Sequence, residues 1–338
     1  MKILVSSLEP SANLHLGEIL KREQFEIVGI FDEKFGEPIY SSKEFSVMGF
    51  IDVLPKIFKA KEAIKELAFI SKDCDKVLLI DAPSFNIPLA KEIKKINPNI
   101  EIIYYILPKV WAWKKGRIKT INQYIDKKAY IFPFEKEYWG AGYVGNPLLD
   151  EITIFRDKKI YNQVAFLAGS RKSEIKSLMP IFRKIAKKID TKKVLVVPKI
   201  YENNMDIYGD ISDFEVSYDT HSTLLKSDFA YICSGTATLE AAIIGTPFVL
   251  MYKARKLEYF IAKMFVKLNY VGLANIIFEK EGLNQFHKEY LQEFNIDELI
   301  NDYNNSNLNE WLKKSNKIRE ILKFGSSQNI IKLLKEKN

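Results

Sequence analysis

Short apolar runs that alternate with long amphipathic segments are the feature that most restricts how this sequence can fold. In the first half of the chain the apolar runs are Ile3–Val5, Ile27–Phe31, Val77–Ile80, Ile102–Ile106 and Tyr130–Phe132. The segments between them are rich in lysine and glutamate and are long enough to form helices. Buried strands that alternate with amphipathic helices are typical of a parallel sheet covered on both faces.

The same alternation begins again in the second half of the chain. Its apolar runs are Val164–Leu167, Val194–Val197, Phe229–Cys233 and Phe248–Met251. A charged, turn-rich segment over 146–160 separates the halves, and 338 residues suffice for two domains. We therefore predict an α/β protein with two Rossmann-like domains, 1–150 and 151–305, that face a central cleft. An apolar stripe predicts C-terminal helices over 306–338 that pack on a domain or on a partner chain.

The composition favours a protein with an anionic partner. Lysine and arginine number 51 against 43 aspartates and glutamates, which gives a net charge of +8. Nucleic acid, a phosphorylated metabolite and an acidic membrane surface all fit this charge. Two cysteines without Cys-x-x-Cys spacing and three scattered histidines indicate neither a disulfide framework nor a zinc site. No signal peptide or membrane-spanning apolar run is visible, so we expect a cytoplasmic protein.

A carboxylate follows the third apolar run directly. Val77–Ile80 leads into Asp81, Ala82 and Pro83, and the proline prevents the strand from continuing. An aspartate at this edge of a sheet can serve as a general base. It can equally be an ordinary turn-capping residue, and spacing alone does not decide between these two roles.

Two turns in the second half have the composition of phosphate-binding turns. The first is Gly169-Ser170-Arg171, between a strand and a helix start, where backbone amides and the arginine could hold a phosphate. The second is Ser234-Gly235-Thr236, with Glu240 one helical turn later and able to bind a ribose diol. Ordinary capped helices are the alternative for both, and neither turn matches a P-loop or a dinucleotide fingerprint.

Three basic segments could meet a lipid surface. Residues 50–70 and 253–268 interleave apolar residues with lysines at helical spacing, and Trp111–Arg117 combines two tryptophans with a basic turn. Such segments can lie in a membrane interface and bind anionic lipid. Core helices with solvated lysines are the alternative, and the tryptophan segment could also stack on bases.

Taken in order, the motifs resemble the lipid-A-disaccharide synthases. The matching blocks are collinear and span nearly the whole chain: Asp81–Asn86, Pro108–Trp113, Pro133–Glu135, Val144–Pro147, Gly169–Ile175, Ser234–Glu240, Tyr270–Asn275 and Leu291–Glu293. The resemblance implies a GT-B fold and an inverting glycosyltransferase that joins UDP-2,3-diacylglucosamine to 2,3-diacylglucosamine 1-phosphate. It implies peripheral association with the inner membrane. It also implies that the protein needs no metal ion and no cofactor and binds no nucleic acid.

The resemblance also implies a set of site residues. Asp81 would be the general base on the acceptor 6-hydroxyl, and Glu240 would hold the ribose. The residues on the UDP side would be Gly169, Ser170, Arg171, Ser234, Gly235, Thr236, Glu240, Asn275 and Gln292. Those on the acceptor side would be Glu9, Ser11 and Asn86.

The sequence departs from the family pattern at four places. Two of them are Ser84, where an acid is common, and Ala274, where proline is common. Leu8–Asn13 stands where Gly-Glu-x-Ser-Gly-Asp is usual, and Lys109 stands where serine is common. Rival functions are another GT-B enzyme, such as a peptidoglycan N-acetylglucosaminyl transferase or a UDP-sugar epimerase, a nucleic-acid-binding protein, and a silent nucleotide or lipid sensor. A homodimer through the C-terminal helices and an intramolecular cap anchored by Trp311 remain open alternatives.

Overall fold

The computed structural model describes residues 1–46, 53–253 and 269–336, with the backbone alone for residues 46 and 53–57. The chain forms two compact units, Met1–Glu151 with Leu322–Asn338, and Ile152–Ile321. Residues 152–162 contain neither helix nor strand. The helices expected over 306–338 are shared between the units, because the last helix belongs to the first unit.

The first unit is a six-stranded parallel sheet in the order β3-β2-β1-β4-β5-β6. Its strands are β1 (Lys2–Ser7), β2 (Glu26–Phe31), β3 (Tyr40–Ser41), β4 (Lys76–Ile80), β5 (Glu101–Tyr105) and β6 (Lys127–Ala129). Its first helices are α1 (Pro10–Arg22), α2 (Lys43–Ser46), α3 (Val53–Ile70), α4 (Pro83–Ile96), α5 (Arg117–Tyr124), α6 (Lys136–Trp139) and α7 (Leu148–Glu151). Short 3-10 helices lie at Glu33–Phe35, Ser71–Asp73 and Pro133–Glu135.

The second unit is also a six-stranded parallel sheet, in the order β12-β11-β10-β7-β8-β9. Its strands are β7 (Gln163–Leu167), β8 (Lys192–Val196), β9 (Glu215–Ser217), β10 (Phe229–Cys233), β11 (Phe248–Tyr252) and β12 (Glu289–Leu291). Its described helices are α8 (Lys172–Ala186), α9 (Thr220–Leu225), α10 (Thr236–Ile244), α11 (Leu273–Lys280), α12 (Ile296–Asn304) and α13 (Leu308–Leu322). Two 3-10 helices lie at Lys199–Tyr201 and Met205–Tyr208.

Each central strand is apolar on both faces because both faces of its sheet are covered. In β4 of the first unit, Val77 and Leu79 join one buried cluster while Leu78 and Ile80 join the other. The last helix, α14 (Ser326–Lys335), covers the second face with Ile330. Uninterrupted apolar runs, and not alternating ones, are what such strands require.

The predicted α/β architecture is confirmed, with differences at the sheet edges. The strand predicted at Tyr130–Phe132 is wrong: β6 is Lys127–Ala129, and Tyr130 makes only an isolated bridge to Tyr143. Edge strands are partly solvated and therefore carry polar residues, as the two lysines of β6 show. The short edge strands β3, β9 and β12 lack an apolar run for the same reason, and the sequence did not predict them.

Trp311 packs within its own unit. Its ring lies 5.3 Å from that of Phe248 and 5.4 Å from that of Phe286, measured between centroids. These contacts attach α13 to its own unit beside β11.

Candidate active site

Asp81 stands at the carboxyl end of β4, in the middle of the first sheet. Ile80, the last residue of β4, pairs with Ser7 of β1 and Tyr105 of β5. The Asp81 N–H donates to the Tyr105 carbonyl at 2.9 Å. Asp81 and Ala82 then take left-handed backbone angles, φ 50° and 43°, before Pro83 begins α4. Two consecutive non-glycine residues in this region mark a strained turn, which is more frequent at functional sites than elsewhere.

The surroundings of Asp81 raise the pKa of its carboxyl group, which makes its carboxylate a stronger base. Burial raises the pKa of its carboxyl, while the positive charge of Lys109, a hydrogen bond from the Ala82 N–H and the nearby His15 ring each lower that pKa in part. The pKa of Glu9 is also raised, first by loss of solvent and then by the negative charge of Asp81. Glu9 and Asp81 therefore lie close enough to interact, with Lys109 acting on both.

Asn86 lies in the protein interior below this turn. The Ser6 hydroxyl donates to its Oδ1 at 2.6 Å, and its Nδ2 donates to the carbonyls of Ile80 and Asp81 at 3.2 and 2.7 Å. The Tyr104 hydroxyl donates to the same Asp81 carbonyl at 2.8 Å. The polar atoms of Asn86 thus face the Asp81 turn and the end of β1, and not the solvent.

The atypical loop before α1 is organised by a buried amide. Asn13 Nδ2 donates to the carbonyls of Ser7 and Glu9 at 3.0 Å each, and its Oδ1 accepts from the Asp32 N–H at 2.8 Å. These bonds fix the backbone at Glu9, whose residue is exposed although its carboxyl loses part of its solvent. Ser11 is partly exposed at the start of α1. The departure from the family pattern is therefore compatible with an ordered loop next to Asp81.

A cavity of about 320 Å³ lies in the second unit, at the carboxyl ends of its central strands. Seven of the nine residues predicted for the UDP side line it: Gly169, Ser170, Arg171, Ser234, Gly235, Thr236 and Glu240. The two predicted phosphate turns follow β7 and β10, which are neighbours in the sheet. Because β7 and β10 are parallel neighbours, the turns that follow them lie side by side, although they are more than sixty residues apart in the sequence.

The first of these turns has space only for glycine. Gly169 has φ 91°, and a Cβ atom built on it would lie 2.4 Å from Glu174 Oε2 and 3.0 Å from Cys233 Sγ. Glu174 closes the turn, since its Oε2 accepts from the Arg171 N–H at 3.1 Å. The Arg171 side chain is 75% exposed and contacts Glu174 Oε1 at 3.0 Å. Its guanidinium is therefore accessible to an anion in the cavity.

The second turn opens α10. Glu240 lies in the middle of that helix, and its carboxylate contacts His221 Nε2 at 3.2 Å. The floor of the cavity includes Cys233, and burial raises the pKa of its thiol to about 12. The thiol is thus neutral at physiological pH and adds no charge to the cavity.

Asn275 and Gln292 are not among the residues that line this cavity. Asn275 is buried, and its Nδ2 donates to the His287 carbonyl at 2.9 Å and to Glu289 Oε1 at 2.8 Å. Gln292 has φ 72° at the end of β12, and its Nε2 is buried without a hydrogen-bond partner among the described residues. Asn275 is thus engaged internally, whereas Gln292 Nε2 makes no hydrogen bond within the part of the chain that the structure describes.

Two glutamates that the sequence did not single out as functional organise these regions. Glu289 accepts from the N–H groups of Val271 and Gly272 at 2.8 and 2.9 Å, at the start of α11. Glu135 is buried and accepts from Trp111 Nε1 at 3.1 Å. The motif Pro133–Glu135 was visible in the sequence, but nothing there indicates that its carboxylate is buried.

The basic segments are described in part. Segment 253–268 lies outside the described residues except for Lys253. On α3, Phe58 and Phe69 are exposed, whereas Leu67 is buried. Trp113 is exposed and Lys114 Nζ lies 4.2 Å from its ring centroid, whereas Trp111 is buried.

The described residues contain neither a candidate metal site nor a candidate membrane-spanning helix. Across 1–46, 53–253 and 269–336, no group of three or more His, Cys, Asp or Glu side chains could hold a metal ion. None of the helices in these ranges is long and apolar enough to span a bilayer.

The sequence is similar to characterised proteins over nearly its whole length. The family model described as lipid-A-disaccharide synthetase matches residues 3–336. The lipid-A-disaccharide synthase of Campylobacter jejuni strain RM1221 is 48% identical, over 98% of this chain and 99% of that protein. The protein of the same name from Helicobacter pylori strain Shi470 is 45% identical, over 97% of this chain and 96% of that protein.

Solved structures with little sequence identity have the same fold. The UDP-GlcNAc 2-epimerase of Neisseria meningitidis, solved with UDP-GlcNAc, has a TM-score of 0.59 at 13% sequence identity. The similarity covers 99% of this chain and 100% of the epimerase. MurG of Acinetobacter baumannii has a TM-score of 0.57 at 12% identity, with 98% of each chain covered. These similarities confirm the predicted fold of two Rossmann-like units.

Proposed function

Since the chain belongs to the lipid-A-disaccharide synthetase family, we propose that it transfers 2,3-diacylglucosamine from UDP to 2,3-diacylglucosamine 1-phosphate. The products are a β-1′,6-linked tetraacyl disaccharide 1-phosphate and UDP. The observation that carries the proposal is the family match over residues 3–336, with relatives of 45–48% identity along the whole chain.

In the proposed donor site, the cavity of the second unit holds UDP. The diphosphate accepts hydrogen bonds from backbone amides of the two turns, and the N-terminus of α10 adds positive partial charge. The Arg171 N–H is not among these donors, because it donates to Glu174 Oε2. The Ser234 N–H likewise donates to the Met251 carbonyl. Arg171 contributes a full charge through its exposed guanidinium. Glu240 accepts hydrogen bonds from the ribose hydroxyls. Gln292 lies outside the lining of this cavity, and we assign it to the UDP side on the family motif alone.

In the proposed reaction, Asp81 removes the proton of the acceptor 6-hydroxyl. The hydroxyl oxygen forms a bond to the anomeric carbon as the bond from that carbon to the diphosphate oxygen breaks, so the configuration inverts. The electron pair of the broken bond stays with UDP, and Arg171 and the turn amides stabilise its charge without a metal ion. The raised pKa of Asp81 suits this role, because a stronger base accepts the proton more readily.

The remaining predicted residues take supporting roles in this proposal. Glu9 and Ser11 line the acceptor side, where the loop held by Asn13 meets the Asp81 turn. Asn86 and Asn275 are positioning residues, because their amides bind backbone or carboxylate groups inside the protein.

The lipid substrates require access to a membrane, and we include in the proposal a reversible association with the cytoplasmic face of the inner membrane. The net charge of +8 favours an anionic lipid surface. Trp113 is 52% exposed beside Lys114, and Phe58 is 64% exposed on the lysine-rich α3. Tryptophan and lysine together are typical of interfacial anchors.

The first test is UDP release from UDP-2,3-diacylglucosamine in detergent and EDTA, with and without the monosaccharide 1-phosphate. We expect release that depends on the acceptor and yields a disaccharide. Asp81→Ala should lower turnover by about 100-fold or more while UDP affinity is unchanged. Asp73→Ala removes an exposed aspartate from the same unit and should have no effect. Near-normal turnover of Asp81→Ala would exclude Asp81 as the base, and absence of any product would exclude the activity.

A further inference from the structure

The first phosphate turn, Gly169–Arg171, contains a peptide group that side chains bind at both ends. This group joins Ser170 to Arg171 after β7. Its carbonyl, which belongs to Ser170, accepts from the Tyr201 hydroxyl at 2.8 Å. Its N–H, which belongs to Arg171, donates to Glu174 Oε2 at 3.1 Å. Because a peptide group is planar and its C=O and N–H point in opposite directions, these two bonds fix its orientation.

Tyr201 holds the carbonyl end from outside the cavity of the second unit. It ends the 3-10 helix Lys199–Tyr201 after β8, is buried, and is not among the residues that line the cavity. Its ring meets that of Tyr208 edge to face, with the centroids 6.1 Å apart. Loss of solvent and then the negative charge of Glu174 raise the pKa of its phenol, so the hydroxyl keeps the proton that it donates. The Ser170 carbonyl is therefore drawn into the protein and away from the cavity.

Glu174 holds the N–H end from the first turn of α8. It is buried and lines the cavity. Its Oε1 contacts Arg171 Nη1 at 3.0 Å, so one carboxylate binds both the backbone and the side chain of Arg171. The N–H groups of Gly169 and Ser170 donate to no acceptor in the part of the chain that the structure describes. These two amides are therefore the backbone donors that the turn can offer to a ligand.

The orientation of the Ser170–Arg171 peptide decides what the turn presents to an anion. A flip of this peptide would turn the Ser170 carbonyl toward the side of Glu174 and of the cavity. The partial negative charge of that oxygen would then repel a diphosphate. In the observed orientation the carbonyl is bound elsewhere, and successive N–H groups at a strand-to-helix turn are typical of phosphate sites.

We propose that Tyr201 and Glu174 are positioning residues for the diphosphate, which prevent a flip of the Ser170–Arg171 peptide and keep the turn in the form that accepts an anion. This inference rests on the proposed binding of UDP in the cavity. Glu174 lies in the sequence block Gly169–Ile175, whereas Tyr201 lies in none of the matching blocks. The role of Tyr201 therefore follows from the tertiary structure alone.

Tyr201→Phe tests the carbonyl end, because it removes only the hydroxyl. We expect the affinity for UDP to fall at least threefold, since the loss of one hydrogen bond to a buried group has about this effect. The affinity for uridine, which has no phosphate, should stay unchanged. Tyr208→Phe is the matched control, because the Tyr208 hydroxyl is buried and makes no hydrogen bond among the described residues. This variant should bind UDP like the wild type.

Two neutral substitutions test the N–H end. Glu174→Gln and Glu174→Leu both remove a negative charge, which by itself favours the binding of an anion. Glutamine keeps a carbonyl oxygen for the Arg171 N–H and leucine does not, so the difference between the two variants reports that acceptor. We expect Glu174→Leu to bind UDP at least threefold more weakly than Glu174→Gln, with equal affinities for uridine.

Isothermal titration calorimetry measures the affinity for UDP, and NMR chemical-shift titration measures that for uridine. The proposal is overturned if Tyr201→Phe binds UDP like the wild type. It is also overturned if this variant loses affinity for UDP and uridine by the same factor, because the role would then be structural only. A wild-type protein that does not bind UDP would overturn it together with the donor site. If the expected differences are found but no disaccharide forms, the proposed function is refuted and this inference stands.

Discussion

Asn13 shows at the scale of one residue how this chain departs from its family and keeps the local structure. The family usually has an aspartate here, but the Asn13 amide donates to two backbone carbonyls, those of Ser7 and Glu9. A carboxylate has no donor for them. The Asn13 amide therefore links the end of β1 to the start of α1, although this loop lacks the glycines and the acid of the usual pattern.

Asn13→Asp should consequently destabilise the first unit, although it restores the residue common in the family. Two carbonyl acceptors would face a buried negative charge, and the loss of one such donor costs about 1–3 kcal/mol. We expect a lower melting temperature and faster hydrogen exchange at Ser7–Asn13. Asn122→Asp, at an exposed site in the same unit, is the matched control. Equal melting temperatures for both variants would mean that the amide donor contributes nothing.

The identity of most site residues could be predicted from the sequence, but the direction of their side chains could not. Asp81 was identified because a proline ends its strand, and the two phosphate turns because glycine and hydroxyl residues follow buried strands. Asn86 and Asn275 belong to equally good motifs, yet both amides point inward. Glu135 was not identified, since burial of a carboxylate depends on the aromatic residues that fold over it.

At the scale of elements, the central strands were predictable because burial on both faces leaves a continuous apolar run. The edge strands were not, because β3, β9 and β12 are only two or three residues long and partly solvated. What positions the site is the end of each central strand. Positive φ angles occur at the ends of two central strands, at Asp81 and Ile106, and also at Gln292 after the edge strand β12. Only glycine is expected from sequence at such angles, so these positions could not be predicted.

The turn after β7 gives a prediction for such a strand end. Gly169→Ala should weaken UDP binding at least tenfold, because a Cβ atom would meet Glu174 Oε2 at 2.4 Å and force the turn to move. Its φ of 91° adds strain for any residue with a side chain. Isothermal titration calorimetry measures the affinity. Gly116→Ala, where φ is ordinary and no atom lies within 4 Å, should bind UDP like the wild type; equal affinity of Gly169→Ala would show that the turn does not hold the nucleotide.

At the scale of the whole molecule, the chain builds its first unit from both ends. The last helix, α14, begins where Asp150 accepts from the N–H groups of Gly325 and Ser327 at 2.8 and 2.7 Å. At its far end, the buried Lys76 Nζ donates to the Leu333 carbonyl at 3.2 Å and binds Glu101 at 2.6 Å. An amphipathic stripe predicted this helix, but only the tertiary structure shows which sheet it covers.

Ile330→Ala tests whether that helix stabilises the first unit alone. Ile330 is fully buried on the face formed by Ile3, Val5 and Leu78, and truncating such a side chain costs about 2–5 kcal/mol. Hydrogen exchange followed by mass spectrometry should become faster in β1 and β4 but not in β7 and β10, and UDP affinity should stay unchanged because the cavity lies in the second unit. Ile160→Ala, at an exposed isoleucine, should alter none of these. Equal loss of protection in β7 and β10 would instead mean that the two units unfold as one, and that the last helix supports the donor site as well.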